Sequence, residues 1–425
     1  MTSISKRDKK HIWHPLTQHK RNPDMRGIVR ASGSVLYDEN GKQYIDGIAS
    51  WYTAMYGHCN PSITERVYGQ MQKLDHVVFT GFTHEPAVRL SEELLKILPK
   101  NQSKIFFSDN GSTSTEIGIK MALQYHHNLG RKNNVLLAFE EGFHGDTFGA
   151  MSVSGLSVYN GPFEEFFIDV ERIPIPNLNN IDLILKELQA LILEKDIAGF
   201  IYEPLVQGAA GMKIYEATAL DKILSLLKAN DVLLIADEVM TGFGKTGKNF
   251  ASDYMLVKPD IICLSKALTA GLMPMAATSC TQIIFEAFYH DEVAKGFFHG
   301  HTYTANPLAC TAALAGIELL NSKTIQGNIK RIIQQHEDFI GKLGSHPAIE
   351  SSRQCGIILA LDLSLPMSRY GNLRDKLYQF FMKNGVFLRP LGNTIYVLPP
   401  FTISEEELNK IYEVITKALA HFGTN

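Results

Sequence analysis

The chain has 425 residues, of which 45% are hydrophobic and 20% are charged, which excludes general disorder and predicts two or three domains. Its 41 basic and 44 acidic residues give a formal charge of -3, which argues against a dedicated binder of nucleic acid or of anionic membranes. The five cysteines are scattered, the first ten residues lack an apolar signal segment, and the longest apolar stretch, 307–320, is too short for a membrane span. We therefore expect a soluble, cytoplasmic protein with reduced thiols.

Residues 1–58 predict an N-terminal arm followed by a β-hairpin. Two apolar runs, 35–37 and 43–45, flank the pair Asn40-Gly41, and such a pair favours a tight turn between antiparallel strands. We expect this segment to belong to a small domain that is completed by the other end of the chain.

Residues 59–320 predict a large α/β domain, because short β-rich runs alternate with longer helical periods. These runs are apolar on both faces, which indicates a mostly parallel sheet covered by helices on both sides. The runs are 105–107, 135–139, 199–202, 232–236 and 261–264. Ligands of such sheets lie outside the carboxyl ends of the strands, so the segments that follow these runs are candidate site segments.

Residues 321–425 predict a small C-terminal α+β domain. A helical stretch leads to the apolar run 356–361, and a second hairpin is predicted from the runs 386–389 and 395–398. The last helix is expected to begin near Ser404, with acidic residues in its first turn.

Two motif matches are weak. The segment 242–247 fits G-x-G-x-x-G, and its extension to Lys248 resembles a phosphate-binding loop, but Asn249 lacks the hydroxyl that such a loop places on Mg²⁺. His299 and His301 could offer two imidazoles to zinc, but no Cys or His cluster stands nearby in the sequence to supply the other ligands. We therefore predict neither a nucleotide site nor a metal site.

Two charged residues follow apolar strands and need an explanation. A carboxylate at Asp237 is costly to bury unless it is paired, and an amine at Lys266 is costly unless it takes part in chemistry. Pyridoxal 5'-phosphate explains both, because the lysine forms a Schiff base with the cofactor aldehyde and the aspartate pairs with the pyridine nitrogen. Gly111 and Ser112, before a helix, would hold the phosphate, and Phe143 could stack on the ring, although a plain helix cap and a core aromatic are the alternatives.

The segment 237–247, followed by Pro259, Asp260 and Lys266, resembles the signature of the class III aminotransferases. The resemblance covers nearly the whole chain and implies a fold type I pyridoxal phosphate enzyme, with a seven-stranded sheet and a small α+β domain. It also implies a homodimer with active sites shared between the subunits. Further segments point to members that move an amino group from S-adenosylmethionine to 8-amino-7-oxononanoate in biotin biosynthesis; these are 12–15, 50–51, 144–153, 206–209, 299–302 and 389–390.

The same resemblance implies a role for each site residue. Lys266 would be the Schiff-base lysine and proton shuttle, and Asp237 would bind the pyridine nitrogen. The residues implied to bind the cofactor are Gly111, Ser112, Phe143, Glu203, Asp237, Lys266 and, from the partner subunit, Thr302. The residues implied to bind substrate are Trp51, Phe143, Lys266, Gly300, Arg389 and Tyr396. Arg389 is also favoured independently, because a planar guanidinium suits bidentate binding of a carboxylate, with a structural salt bridge as the alternative.

Four positions depart from the resembled pattern: Leu16 and Phe143 stand in place of Tyr, Tyr52 in place of Trp, and Lys245 in place of Arg. These departures leave open lysine as the amino donor, or another ω-amino-acid aminotransferase. An aminomutase on the same fold is less favoured because of segments 13–15 and 50–51. A regulator without catalysis is less favoured because Lys266 and Asp237 are both present.

Overall fold

The computed structural model describes residues 3–22, 24–365 and 372–423. The strands in this part of the chain are β1 Ile28–Ser32, β2 Val35–Asp38, β3 Gln43–Asp46, β4 Gln102–Ser108, β5 Val135–Phe139, β6 Val170–Ile173, β7 Ile197–Tyr202, β8 Val206–Gln207, β9 Lys213–Ile214, β10 Leu233–Asp237, β11 Ile261–Leu264, β12 Ala276–Thr281, β13 Ile349–Cys355, β14 Ile358–Leu363, β15 Val386–Phe387 and β16 Thr394–Val397.

The helices of the same part are α1 Ile4–His11, α2 Ala49–Tyr52, α3 Pro61–Met71, α4 Glu85–Ile97, α5 Gly111–Asn128, α6 Phe148–Ser152, α7 Ile181–Glu194, α8 Ala217–Ala229, α9 Gln282–Phe288, α10 Pro307–Leu320, α11 Lys323–Leu343, α12 Asn372–Lys383 and α13 Glu405–Phe422. Short 3₁₀ turns cover Gly161–Phe166, Ala251–Tyr254, Lys266–Thr269 and Val293–Lys295. Ser404 caps α13 as expected, because its hydroxyl accepts the N–H of Glu407.

A seven-stranded sheet in the order β4-β12-β11-β10-β7-β5-β6 forms the centre of the molecule. The pairs from β11 through β6 are parallel, and only β12 runs antiparallel to its two neighbours. The predicted mostly parallel sheet is therefore confirmed. Strands β5, β7, β10 and β11 are buried along their whole length, because helices cover both faces of the sheet.

The N-terminal hairpin is confirmed, because β2 and β3 pair antiparallel with Val35 opposite Ile45. In the turn, Gly41 has φ 81°, and the carboxylate of Asp38 accepts the N–H groups of Asn40 and Lys42. The turn thus needs glycine at Gly41, where a left-handed φ is adopted.

The predicted second hairpin is wrong. Strand β15 pairs in parallel with β3, in a sheet of order β1-β2-β3-β15, whereas β16 pairs with β14 in a sheet of order β13-β14-β16. Between them the chain crosses from one sheet to the other through Arg389 and Pro390, and Pro390 has no N–H to give to a ladder. The division at residues 58 and 320 stays a prediction, although the pairing of β15 with β3 does join the two ends of the chain.

In the part of the chain that the structure describes, no helix combines the length and the apolar character needed to cross a bilayer.

Candidate active site

The candidate site lies at one edge of the central sheet. Strands β4, β5, β7, β10 and β11 run in the same direction, so their carboxyl ends meet there. The segments that follow these strands carry the residues that the sequence singled out, namely Gly111, Ser112, Phe143, Glu203, Asp237 and Lys266. The location predicted from the strand pattern is therefore where these side chains are found.

Asp237 is the last residue of β10, and its side chain is buried. One carboxylate oxygen, Oδ2, lies 2.7 Å from Nδ1 of His144, and the other accepts the N–H of Val239 at 3.0 Å. His144 is itself buried, and its second nitrogen, Nε2, has no hydrogen-bond partner among the described residues. A hydrogen bond from His144 therefore orients the Asp237 carboxylate, a pairing that sequence reasoning did not identify.

Lys266 begins a 3₁₀ turn two residues after β11 and has φ 48°, in the left-handed region. Burial lowers the pKa of its amine, while the charges of Asp237 and Glu203 oppose that change. The amine lies 5.3 Å from the centroid of the Tyr52 ring, and no hydrogen-bond partner is found for it in the described ranges. A lysine in this state is available as a nucleophile and as a base.

Glu203 follows β7 and is almost fully buried. Burial raises its pKa to about 7, and the charge of Asp237 adds to this rise while His144 opposes it. Its two oxygens accept the N–H groups of Phe143 at 3.1 Å and of Gly208 at 3.0 Å. Glu203 thereby fixes the backbone of Phe143, whose ring stays 40% exposed at the site.

The N-terminus of α5 forms a cradle beside this cluster. Asn110 caps the helix by accepting the N–H of Thr113, which leaves the N–H groups of Gly111 and Ser112 without a partner in the described part of the chain. A side chain at Gly111 would meet Val239, since its Cβ would lie 2.8 Å from Cγ1. Free N–H groups at a helix N-terminus favour an anion such as a phosphate.

Gly145 closes the cradle from the loop after β5. Its φ is 134°, and a Cβ there would lie 2.2 Å from the Ser112 hydroxyl oxygen. That hydroxyl also accepts the N–H of Asp146 at 3.1 Å. The loop after β5 and the start of α5 thus form one surface.

A second group of residues comes from the two ends of the chain. The Arg389 guanidinium lies 4.9 Å from the centroid of the Trp51 ring, and the rings of Tyr52 and Tyr396 lie 5.8 Å apart. Burial raises the pKa of Tyr396 to about 12, so its hydroxyl stays protonated. Arg389 is exposed and forms no salt bridge within the described residues, so the structural alternative for it finds no partner there.

Gly300 and Thr302 are not brought into this cluster. Both are exposed, in a loop that is tied to the same subunit by His301, whose Nδ1 lies 2.9 Å from Asp109. His299 and His301 bond to each other, with 3.0 Å between their Nε2 atoms. The role that the sequence resemblance implies for Gly300 and Thr302 therefore stays a prediction.

Lys245 is not part of the site. Its side chain is fully buried, and its amine donates to the carbonyl oxygen of Gly242 at 2.7 Å. Burial lowers its pKa to about 7. The Lys245 side chain thus bonds within its own glycine-rich loop, in which residues 242–246 are buried and Gly247 is exposed.

The family model for aminotransferase class-III matches residues 17–419. A protein of Synechococcus elongatus named adenosylmethionine-8-amino-7-oxononanoate aminotransferase is 42% identical to this chain, over 96% of this chain and 98% of its own length. A protein of the same name from Geobacter sulfurreducens is 36% identical, over 97% and 96% of the two chains.

Solved structures of aminotransferases are also similar to this chain. The crystal structure of the adenosylmethionine-8-amino-7-oxononanoate aminotransferase of Methanocaldococcus jannaschii is similar, with a TM-score of 0.90 and 34% identity, over 97% of this chain and 98% of that one. The omega transaminase of Pseudomonas jessenii in complex with PMP has a TM-score of 0.92 at 27% identity, over 99% and 98% of the two chains.

Proposed function

The chain belongs to the class III aminotransferases, and from this membership we propose that it transfers an amino group from S-adenosylmethionine to 8-amino-7-oxononanoate, using pyridoxal 5'-phosphate. The product would be 7,8-diaminononanoate, a precursor in biotin biosynthesis. The observation that carries the proposal is the unpartnered amine of Lys266 beside two buried carboxylates, in a chain whose relatives of that name match it over nearly their whole length.

The residues present fit pyridoxal phosphate. The free N–H groups of Gly111 and Ser112 would hold the phosphate, and Asp237 would pair with the pyridine nitrogen. Phe143 would cover a face of the ring, and Lys266 would bind the aldehyde carbon. When bound, pyridoxal phosphate supplies a ring that accepts the electrons of the carbanion formed at the substrate Cα.

The protein's own groups do the rest of the chemistry. The Lys266 amine, whose pKa is lowered by burial, would take the proton from the substrate Cα and return it to the cofactor carbon C4′. The hydrogen bond from His144 orients the Asp237 carboxylate. Arg389 would bind the carboxylate of the acceptor, with Trp51 and Tyr396 as walls of the substrate pocket.

A homodimer with shared sites is part of the proposal. The exposed Gly300 and Thr302 are supported as residues that reach the cofactor phosphate of the partner subunit, because they lie outside the cluster of their own chain. Phe298 and Tyr303, also exposed, flank them and would be covered in such a dimer. We also propose a cytoplasmic location, in keeping with five cysteines that form no disulfide.

The amino donor is tested by an absorbance titration of the cofactor-loaded protein without an acceptor. S-adenosylmethionine and lysine are added separately, and we expect S-adenosylmethionine alone to convert the pyridoxal form to the pyridoxamine form. If lysine alone converts the cofactor, lysine rather than S-adenosylmethionine is the amino donor. If neither compound converts it, the assignment of both substrates fails. The variant Lys266→Ala serves as the control and is expected to show no conversion to the pyridoxamine form with either donor.

A further inference from the structure

Four consecutive residues, Ala49–Tyr52, adopt left-handed backbone angles, and we name this segment the left-handed turn. Their φ values are 46°, 45°, 71° and 69°. Residues with a Cβ normally visit this region singly, because the Cβ approaches the following carbonyl oxygen. A run of four without glycine persists only when the surrounding structure holds it, and such segments concentrate at functional sites.

The carboxylate of Asp46 ties the left-handed turn to the rest of the chain. Asp46 ends β3, and its side chain is fully buried. Its Oδ2 accepts the hydroxyl of Ser50 at 2.7 Å and lies 2.8 Å from Nε2 of His58, while Oδ1 accepts the N–H of Ile48 at 3.3 Å. Asp46, Ser50 and His58, which we call the Asp46 cluster, thus connect the strand before the turn, the turn itself and the chain that follows it.

The left-handed turn presents two neighbouring aromatic rings to the active site. Trp51 packs against the Arg389 guanidinium, and Tyr52 lies beneath the Lys266 amine. In a strand, successive side chains point to opposite faces, whereas in a helical turn they are about 100° apart. The turn therefore allows Trp51 and Tyr52, although adjacent in the chain, to contact Arg389 and Lys266 respectively.

The end of the turn also packs against the segment that carries Lys266. A Cβ at Gly271 would lie 2.7 Å from the carbonyl carbon and oxygen of Thr53. The two backbones are in contact there, so a change in the left-handed turn reaches the Lys266 segment directly.

We propose that Asp46, Ser50 and His58 are positioning residues for the active site. They hold the left-handed turn and thereby place Trp51 against the acceptor-binding arginine and Tyr52 against the lysine. This inference rests on the proposed function for the roles of Arg389 and Lys266.

The test uses the two tryptophans of the chain, Trp13 and Trp51. In a Trp13→Phe background, fluorescence reports on Trp51 alone. We expect Ser50→Ala to shift the emission of Trp51 and to raise KM for the acceptor about fivefold to tenfold, with a smaller change in kcat. His58→Ala, which removes the other side chain bonded to Asp46, is expected to change both quantities in the same direction. If Ser50→Ala does not fold, His58→Ala serves as the test.

Ser34→Ala is the matched control. It removes a serine–carboxylate hydrogen bond, 2.6 Å to Oε2 of Glu407, near the same hairpin but outside the left-handed turn. We expect it to leave the emission of Trp51 and the KM unchanged.

The inference is overturned if Ser50→Ala and His58→Ala match Ser34→Ala in both measurements. It is also overturned if the emission shifts while KM does not, because the Asp46 cluster would then hold the turn without positioning Trp51 for the acceptor. If the parent protein turns over neither donor, the proposed function fails, and the emission of Trp51, which needs no substrate, still tests whether the cluster holds the turn.

Discussion

Arg389 is an exposed arginine whose guanidinium is oriented by an aromatic ring rather than by a carboxylate. It lies over Trp51, and in the described ranges no acidic side chain pairs with it. A guanidinium that contacts an aromatic ring and no carboxylate keeps its N–H donors available for bidentate binding of a planar anion. The side chain therefore suits recognition of a substrate carboxylate.

We expect Arg389→Ala to raise KM for 8-amino-7-oxononanoate about tenfold to a hundredfold, because a hydrogen bond to a charged group contributes about 1.5–3 kcal/mol. The KM of Arg389→Lys should lie between those of the parent protein and Arg389→Ala, since lysine keeps the charge but lacks the planar guanidinium. The measurement is steady-state kinetics with the acceptor varied. Arg30→Ala is the control, because Arg30 also lies over an aromatic ring, that of Tyr37, away from the site. An unchanged KM in Arg389→Ala would remove the carboxylate assignment.

Lys245 shows what residue type alone does not reveal. It stands in a glycine-rich loop where the resembled pattern has Arg, and its buried amine donates to the carbonyl oxygen of Gly242. Burial depends on how α10 and α11 pack over the loop, since the space at Gly244 is filled by Leu320 and Ile329. Such contacts between distant segments carry no local sequence signal.

At the scale of elements, the start of α5 links helix geometry to cofactor binding. Asn110 and Thr113 form a capping box, so the first turn is fixed and its remaining N–H groups point outward. Gly111 can approach Val239 only because it lacks a Cβ. The position of the first turn of α5 against Val239 therefore depends on glycine at residue 111.

We expect Gly111→Ala to weaken pyridoxal phosphate binding about tenfold, because the new Cβ would displace the first turn of α5. The affinity can be measured by absorbance during titration of the cofactor-free protein. Gly327→Ala is the control, since Gly327 lies in α11 with no atom within 4 Å of an added Cβ. Equal affinities in the two variants would contradict the role of α5 as the phosphate cradle.

The elements that sequence analysis missed lack a distinctive local pattern. Strand β12 has the sequence Ala-Ala-Thr-Ser-Cys-Thr and is fully buried, yet it contains no large apolar residue. Strands β15 and β16 were expected to pair with each other, but each pairs with a strand from elsewhere in the chain. In contrast, the Asn40-Gly41 turn and the apolar runs β5, β7, β10 and β11 were predictable, because their signals are local.

At the scale of the whole molecule, His336 joins α11 to α13 and to the turn between β13 and β14. It lies in α11, its Nδ1 is 2.7 Å from the hydroxyl of Tyr412 in α13, and its Nε2 is 3.0 Å from the carbonyl oxygen of Ile357. Burial lowers the pKa of His336 to about 4. The folded protein therefore holds this histidine neutral, whereas the unfolded chain binds a proton below about pH 6.5.

Stability should consequently fall as the pH falls from about 6.5 towards about 4, because only the unfolded state gains the proton in that interval. Between pH 7 and pH 5 we expect His336 to contribute a loss of about 2 kcal/mol in the free energy of unfolding. Urea unfolding at the two pH values measures this loss. A His336→Gln variant should lose less over the same interval, and an equal loss would show that His336 does not account for the pH dependence.

The sequence made part of the active site predictable on physical grounds and part only by resemblance. Asp237 ends one apolar strand and Lys266 follows another. A buried charge at such a position is costly unless it is paired or takes part in chemistry. Trp51, Arg389 and Tyr396 lie in segments that are joined through the sheet β1-β2-β3-β15 and the sheet β13-β14-β16. The partnership of His144 with Asp237 joins residues 93 positions apart and had no local sign.

The parallel pairing of β15 with β3 has a consequence for the order in which the protein is made. During synthesis from the N-terminus, the edge of β3 that pairs with β15 stays unpaired until more than 300 further residues have left the ribosome. This is because β15 begins at Val386. Arg389 and Tyr396 follow within the same late stretch. A nascent chain thus holds Lys266 and Asp237 long before it can hold an acceptor, and a truncated product that lacks the last forty residues would leave β3 without its partner and the site without its arginine.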